Sequence, residues 1–157
     1  MKENNHAQAT IAEPIPRGFH SVTPFLVLKD CVAFLDFIKN AFGGETTFLL
    51  KHKGGKVMHA SAKIGDSPIM LTDADEKLPE MPAMLYLYVD DVDSVYKQAL
   101  EAGAASVREP VNEFYGDRSA GVKDKWGNQW WIATHIEEVD REEVERRAEE
   151  FEKEHSM

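Results

Sequence analysis

The chain has 157 residues, of which 43% are hydrophobic, and its formal net charge is −10. This length predicts one domain, or two small halves that share a core. The acidic charge argues against a nucleic-acid partner, because binding to phosphates requires clustered Lys and Arg side chains. No stretch approaches the roughly 20 consecutive apolar residues of a membrane-spanning helix, so we expect no membrane partner.

Residues 1–17 are polar and contain Pro14 and Pro16, so we expect them to form a flexible N-terminal segment. They lack the apolar stretch of a signal peptide, and the single cysteine, Cys31, has no partner for an intrachain disulfide. Both features predict a cytoplasmic protein. We interpret Cys31 itself as a packed residue at the start of a helix.

Residues 19–73 contain a predicted strand, a helix and three further strands, in that order. The helix begins after Asp30, a good N-cap, and ends at Gly43–Gly44. The three later strands are separated by the turn-forming pairs Gly54–Gly55 and Gly65–Asp66. The predicted strands cover residues 19–28, 45–52, 56–64 and 67–72, and the helix covers residues 31–42.

The same order of elements returns in residues 83–135, after a polar linker over residues 73–82. The last two strands are joined by a tight turn over residues 124–128, in which Gly127 and Asn128 are expected to take positive φ angles. The predicted strands cover residues 84–89, 106–111, 117–123 and 129–134, and the helix covers residues 92–102. A βαβββ pattern that occurs twice predicts an α+β fold built from two similar modules.

The last predicted strand carries two adjacent tryptophans, Trp130 and Trp131. Successive side chains on a strand point to opposite faces. One ring is therefore expected in the hydrophobic core. The other is expected on the opposite face, which is where we expect the functional site.

Residues 137–157 are dominated by Glu and Arg and are predicted to form a charged C-terminal helix. The apolar stripe of this helix is thin and consists of Val139, Val144, Ala148 and Phe151. Two interpretations remain open. The helix is either a solvated element that ion pairs four residues apart stabilise, or a docking surface for a second subunit.

Four segments resemble the vicinal oxygen chelate superfamily (glyoxalase I, bleomycin-resistance proteins, extradiol dioxygenases), and in particular its PhnB-like branch. They are VTPFLVLKD (22–30), GKVMHASAKIGDSPIMLTD (55–73), LYVDDVD (87–93) and FYGDRSAGVKDKWGNQWWIATH (114–135). The resemblance implies one glyoxalase-like domain over residues 18–136, with module 1 at about 19–73 and module 2 at about 83–135. It also implies an eight-stranded mixed sheet around a shared cavity, and a homodimer.

Metal-dependent members of this superfamily place one ligand on the first and one on the last strand of each module. By resemblance, these places correspond to Thr23, Met70, Met84 and Trp131. None of these side chains is a good ligand for a hard divalent cation, zinc or iron. The sequence therefore departs from the metalloenzyme pattern, and we expect no metal and no other cofactor.

Strand alternation extends these four positions to a predicted cavity face. On the strand over residues 56–64, Met58 and every second residue after it are assigned to the helix side, which leaves His59 and Ser61 on the cavity side. These side chains either line a pocket or fill a closed core. The predicted ligand-binding residues are Thr23, Phe25, His59, Ser61, Met70, Thr72, Met84, Tyr86, Tyr88, Tyr115, Arg118, Gln129 and Trp131.

Two parts of this set carry specific chemical expectations. His59 is the candidate catalytic or ligand-orienting residue, because imidazole titrates near neutral pH, although a lone histidine is also a common structural residue. Tyr115, Asp117 and Arg118 form a second polar cluster, in which the last two must face opposite ways. Arg118 is either a clamp for a carboxylate or phosphate, or an anchor for a loop or a second subunit.

These features favour a metal-free, dimeric, glyoxalase-like protein that binds a small apolar or aromatic molecule. Two alternatives stay open. One is a lyase, isomerase or dioxygenase in which His59 helps to recruit a metal. The other is an interaction protein that acts through the acidic C-terminal helix.

Overall fold

A computed structural model describes residues 11–156 of the chain. Module 1 consists of β1 (Phe25–Leu28), α1 (Cys31–Phe42), β2 (Glu45–Lys51), β3 (Val57–Ile64) and β4 (Ser67–Asp73). Module 2 consists of β5 (Met84–Tyr88), α2 (Val92–Glu101), β6 (Ala105–Asn112), β7 (Asp117–Lys123) and β8 (Gln129–His135). A final helix, α3 (Arg141–His155), follows the second module.

Each module forms its own four-stranded sheet. The strand order is β1-β4-β3-β2 in sheet 1 and β5-β8-β7-β6 in sheet 2. The first strand of each module pairs in parallel with the last, and the other neighbours are antiparallel. The predicted α+β class with two βαβββ modules is therefore confirmed, and the eight strands are divided equally between two mixed sheets of the same topology.

A continuous hydrophobic core joins the two modules. Helices α1 and α2 each pack on the sheet of their own module and on each other. Trp130 of β8 crosses the module boundary, because its ring centroid lies 4.7 Å from that of Phe42 and 6.4 Å from that of Phe34, both on α1. This side chain is only 2% exposed. Trp130 is thus the tryptophan that enters the core, as the alternation of β8 required.

The N-terminus of each module helix is tied to the last strand of its own module. Asp73, at the end of β4, accepts hydrogen bonds from the backbone N–H groups of Cys31 at 2.8 Å and Val57 at 2.6 Å. Thr134, near the end of β8, accepts one from the N–H of Val92 at 2.9 Å. The first N–H groups of a helix need acceptors. These strand-end side chains supply them and fix each helix on its sheet.

Cys31 is fully buried at the start of α1. Burial, reinforced by the nearby carboxylate of Asp73, raises the pKa of its thiol. A buried, protonated thiol is a packing group and a poor nucleophile, which supports the interpretation of Cys31 as a core residue.

Two features of the strands differ from prediction. β1 begins at Phe25 instead of residue 19, since Pro24 has no N–H to extend the pairing with β4. In the β7–β8 turn, Gly127 has a φ of 86°, whereas Asn128 keeps a negative φ. Asn128 contributes through its buried side chain instead, whose oxygen accepts a hydrogen bond from the N–H of Ala83 at 2.9 Å.

The segments outside the two modules are only partly described. Residues 1–10 of the predicted flexible segment lie outside the described range, and residues 11–17 are exposed and contain no helix or strand. Helix α3 begins at Arg141 instead of residue 137, because Asp140 caps it by accepting the N–H of Glu143 at 2.9 Å. Within the described part of the chain, no helix is long and apolar enough to cross a membrane.

The buried carboxylate of Asp124 organises the β7–β8 turn. It accepts hydrogen bonds from the N–H groups of Trp126 and Asn128, from the Asn128 amide and from the Trp130 indole, all at 2.9–3.0 Å. The turn and the core tryptophan are thus held by one side chain.

We expect Asp124→Ala to lower the free energy of unfolding by about 3 kcal/mol or more, because it leaves several buried donors without an acceptor. The control is Asp66→Ala in the corresponding turn of module 1. Asp66 is exposed, so this change is expected to cost no more than about 0.5 kcal/mol. Urea denaturation followed by tryptophan fluorescence measures both, and equal losses would contradict the role of Asp124.

Candidate functional site

Each sheet packs one face on its helix and leaves the other face open. One row of paired residues crosses the open face of sheet 2 from β5 to β6, and it consists of Tyr86, Trp131, Gly121 and Arg108. The corresponding row of sheet 1 consists of Phe25, Met70, Ser61 and Phe48. The two rows occupy equivalent places in the two modules but differ in chemistry.

Gly121 allows the ring of Trp131 to lie across the open face of sheet 2. A Cβ atom at position 121 would be 2.9 Å from Cη2 of the Trp131 indole, which is closer than two carbon atoms approach without repulsion. The indole therefore rests on the backbone of β7 and reaches Arg108 on β6. The guanidinium carbon of Arg108 lies 4.9 Å from the ring centroid, the distance of a cation–π contact.

A pocket with a volume of about 300 Å³ lies beside this ring. It is lined by Met84, Tyr86, Arg108, Glu113, Tyr115, Ser119 and Trp131. Aromatic rings and a thioether supply most of the wall, and three side chains supply polar groups. Small-molecule sites have this composition, mostly apolar with a few polar groups that orient the ligand.

The three polar residues of the pocket, Arg108, Glu113 and Ser119, form hydrogen bonds and an ion pair with one another. Nη2 of Arg108 donates to Oγ of Ser119 at 2.5 Å and forms an ion pair with Glu113. Oγ of Ser119 donates to the Glu113 carboxylate at 2.9 Å. All hydrogen bonds of Arg108 to described residues use Nη2, and its Nε is buried without a partner among them. Nη1 therefore makes no hydrogen bond to the described residues, while Glu113 balances the charge of the guanidinium.

Arg108, Glu113 and Ser119 were not predicted as site residues. The pairing of β6 with β7 shifts register on both sides of Arg108, so alternation along β6 does not predict which side chains face the pocket. A usable signal existed on β7, because Ser119 is two residues from Asp117 and must share its face.

A second polar cluster adjoins the pocket behind Tyr86. The buried carboxylate of Asp117 accepts hydrogen bonds from the hydroxyls of Tyr86 at 2.9 Å and Tyr88 at 3.0 Å. Its other oxygen lies 2.8 Å from Nδ1 of His135. Burial alone would raise the pKa of Asp117, but the hydrogen bonds from His135 and the two tyrosines outweigh it and hold the pKa below its usual range. Asp117 is therefore a stable anion.

The two tyrosines bound to Asp117 are held in their protonated form. Burial raises the pKa of Tyr86, and the nearby Tyr115 hydroxyl and the hydrogen bond to Asp117 raise it further. The hydrogen bond to Asp117, together with partial burial, raises the pKa of Tyr88. At neutral pH these hydroxyls therefore act as hydrogen-bonding groups rather than as bases.

His135 connects the Asp117 cluster with the segment that leads to α3. Its Nε2 lies 3.0 Å from a carboxylate oxygen of Glu138. The hydrogen bond to Asp117, with a further contribution from Glu138, raises the pKa of the imidazole. When the ring is protonated it donates to both carboxylates, and it then links the end of β8 to the C-terminal segment.

The open face of sheet 1 carries His59 among aromatic side chains. Its ring centroid lies 5.9 Å from that of Phe25 and 6.0 Å from that of Phe48. Nε2 of His59 is 3.5 Å from Oγ of Ser61. His59 and Ser61 therefore share the face opposite α1, as predicted from alternation.

The predicted ligand-binding residues form two groups, one on each sheet. The open face of sheet 1 carries Phe25, His59, Ser61, Met70 and Thr72. The open face of sheet 2 carries Met84, Tyr86, Tyr88, Gln129 and Trp131, with Tyr115 at the rim. Thr23 precedes β1 and is half-buried. The pocket beside Trp131 is lined by module 2 alone, and the shared cavity stays a prediction.

Arg118 lies apart from this set. Its Nε and Nη2 donate to the two carboxylate oxygens of Asp93 on α2 at 2.8 and 2.9 Å, and its Nη1 donates to Asn112 at 3.0 Å. Because Asp117 faces the open side of β7, the next residue faces the helix. Arg118 is an anchor for α2, and the structure does not place it where it would clamp a ligand.

Met58 also lies elsewhere than predicted. Alternation along β3 predicts Met58 on the helix side, but its side chain is 44% exposed. The β2–β3 pairing shifts register next to it, and Val57 enters the core instead, with 1% exposure. Such an irregularity inverts the alternation on one side of it.

The positions that hold metal ligands in metal-dependent members of the resembled superfamily do not suit a metal here. Thr23, Met70, Met84 and Trp131 offer no imidazole, carboxylate or thiolate. Within the described residues, no three His, Cys, Asp or Glu side chains lie close enough to share an ion.

The two βαβββ modules with their paired sheets define a glyoxalase-like fold. The family model of the Glyoxalase/Bleomycin resistance protein/Dioxygenase superfamily matches residues 18–132. The chain therefore belongs to this superfamily, which confirms the resemblance seen in the sequence.

Similar proteins are found among curated sequences and solved structures. An uncharacterized protein of Mycobacterium bovis is 29% identical over 139 residues, which cover 80% of this chain and 90% of that protein. A Mycobacterium tuberculosis protein is equally similar, with 80% of both chains covered. TioX from Micromonospora sp. ML1 has a TM-score of 0.63 at 21% identity, over 73% of this chain and 99% of that chain. A PhnB protein from Bacillus cereus has a TM-score of 0.60 at 19% identity over the same shares; these two structures show the fold alone.

The Asp117–His135 pair makes a pH-dependent contribution to stability. The pKa of Asp117 is lowered on folding, so its contribution is present above the ordinary value of 3.8 and is lost as the pH falls through the folded value. The pKa of His135 is raised on folding, so its contribution is complete below the ordinary value of 6.5 and is lost as the pH rises through the folded value. The pair therefore contributes most between pH 3.8 and pH 6.5.

We expect His135→Gln to lower the free energy of unfolding most in this window and progressively less at higher pH. Chemical denaturation at a series of pH values measures the difference, and His20→Gln, at an exposed position, is the control. A loss of the same size at about pH 5 and about pH 9 would show that the charge of the imidazole contributes nothing.

Proposed function

We propose that this protein binds a small, largely apolar or aromatic molecule without a protein-bound metal ion. The observation that carries the proposal is the pocket of about 300 Å³ beside Trp131. This volume is at the lower end of the range for small-molecule sites. The rings of Tyr86, Tyr115 and Trp131 offer stacking surfaces to a flat ligand.

The polar groups of the pocket favour a ligand with a hydrogen-bond acceptor. Nη1 of Arg108 is a charged donor suited to a carbonyl or carboxylate oxygen. The hydroxyl proton of Tyr86 is already donated to Asp117, so Tyr86 meets a ligand as an acceptor. Met84 is 68% exposed at the rim, where a flexible thioether adapts to ligands of different shape.

We propose further that the protein acts as a homodimer. The open faces of the sheets expose large apolar side chains, among them Phe48 at 51%, Leu50 at 44% and Tyr88 at 61%. Exposed apolar patches mark interaction surfaces, and β2 is a sheet edge with unpaired backbone groups. A second copy that sets its sheet 1 against sheet 2 brings His59 towards the pocket and closes it.

A cytoplasmic location is part of this proposal. The chain has one cysteine, Cys31, which is fully buried and forms no disulfide. Reliance on packing without disulfides is typical of proteins in reducing compartments.

The fluorescent probe 8-anilinonaphthalene-1-sulfonate combines aromatic rings with an anionic acceptor and therefore tests the pocket. We expect saturable binding at about one site per chain. Trp131→Ala is expected to weaken it at least about tenfold, since it removes a stacking surface and the cation–π partner of Arg108. The control is Val107→Ala, an exposed residue of β6 outside the pocket. Equal affinities for the three proteins would refute the proposed site.

Sedimentation equilibrium of the full chain tests the dimer. We expect the mass of two chains, and we expect Leu50→Lys to shift the distribution towards one chain, because it places a charge in the proposed interface. Leu78→Lys, at a position in the linker that is 41% exposed, is the matched control and is expected to keep the dimer. A single-chain mass for the wild type would contradict the proposal.

A further inference from the structure

Helix α3 lies outside residues 18–132, which the superfamily model matches, yet it packs against the turn that carries Tyr115. The ring centroid of Phe151 on α3 lies 5.3 Å from that of Phe114. Nη1 of Arg147 donates to the carbonyl oxygen of Phe114 at 3.2 Å. Phe114 in turn lies edge-on to Tyr115 at 5.4 Å. Phe114 therefore lies between α3 and Tyr115, whose ring forms part of the pocket wall.

Two carboxylates hold Arg147 in this position. Its Nη1 and Nη2 donate to the two oxygens of Glu137 at 2.9 and 2.8 Å, and its Nε donates to Glu143 at 2.8 Å. The side chain is 27% exposed, whereas that of Arg146, which pairs with residues of α3 itself, is 54% exposed. A guanidinium whose two terminal nitrogens both bind one carboxylate is fixed in orientation. Arg147 thus joins α3, the segment before it and the turn at Phe114.

The segment that leads into α3 rests on the same turn. The carbonyl oxygen of Gly116 accepts the N–H groups of Ile136 at 2.9 Å and Glu137 at 3.1 Å. Gly116 has a φ of 104°, and a Cβ atom there would be 2.3 Å from the carbonyl oxygen of Glu137. Only glycine permits this approach. The C-terminal region therefore touches the chain on both sides of Tyr115.

We infer that α3 supports the ligand site from outside and that Arg147 is a positioning residue, which holds the Tyr115 ring against the pocket. Tyr115 lies in the turn between β6 and β7, is 39% exposed and lines the pocket rim. The inference rests on the proposed ligand-binding function. It assigns the C-terminal helix a role in the ligand site of its own chain, in contrast to docking on a second subunit.

The affinity of the full chain for 8-anilinonaphthalene-1-sulfonate tests the inference. We expect Arg147→Gln to weaken binding about fivefold, a change within the range of coupling between contacting residues, because Tyr115 loses its fixed position. Arg146→Gln removes ion pairs of the same kind from α3 and is the matched control, with wild-type affinity expected. Phe151→Ala removes the other contact to the turn and is expected to weaken binding to a similar extent.

Two further readouts separate positioning from a general loss of structure. In a Tyr115→Ala background, we expect Arg147→Gln to have no additional effect on the dissociation constant. The chain has four tyrosines, so incorporated 3-fluorotyrosine reports on each by fluorine NMR. We expect the Tyr115 resonance to change in Arg147→Gln and that of Tyr96, on α2, to stay the same.

Wild-type affinity in Arg147→Gln, or an equal loss with and without the Tyr115 side chain, would overturn the role of Arg147. The proposed function survives both outcomes as long as the wild type binds the probe and Trp131→Ala weakens this binding. A wild type that fails to bind the probe removes the proposed function, and the inference with it.

Discussion

Trp130 and Trp131 are adjacent on β8, and the pleat of that strand sends their rings to opposite faces of sheet 2. Trp130 contacts Phe34 and Phe42 of α1 and thereby fixes module 1 against module 2. The same backbone sets the position of Trp131 over Gly121. The packing of the core and the wall of the pocket are thus two consequences of one strand. A one-residue shift of β8 would move the side chains on both faces, so it would alter the core and the pocket together.

The two modules share a topology but present different open faces. In the central row, Gly121 of sheet 2 stands where sheet 1 has Ser61, and Arg108 stands where sheet 1 has Phe48. The missing side chain at Gly121 makes room for an indole that reaches the guanidinium. Sheet 1 instead surrounds the His59 imidazole with phenyl rings. The repeated topology therefore provides the same framework twice, and different side chains on the open faces give two surfaces of different chemistry.

Alternation predicted the faces of Phe25 and Trp131 correctly, because the pairings around them keep a regular register. It also predicted the face of His59, which lies beside a register shift of the β2–β3 pairing but on the regular side of it. It failed at Met58, where the β2–β3 pairing is irregular. For the same reason alternation did not predict Arg108 as a site residue, because Arg108 lies between two register shifts in β6. Irregular pairing is set by neighbouring strands and the packing beneath them, and a pattern read along one strand does not contain it.

The sequence by itself determined the elements and their repetition, since helix caps, turn glycines and the two-residue strand period are local properties. It also determined that one of two adjacent tryptophans must leave the core. Only the tertiary structure decided the partners of the polar side chains, such as Asp117 with Tyr86 and Arg147 with Phe114. Those contacts join residues about 30 positions apart in the chain. They depend on strand register and on the path of the C-terminal segment, which no local pattern encodes.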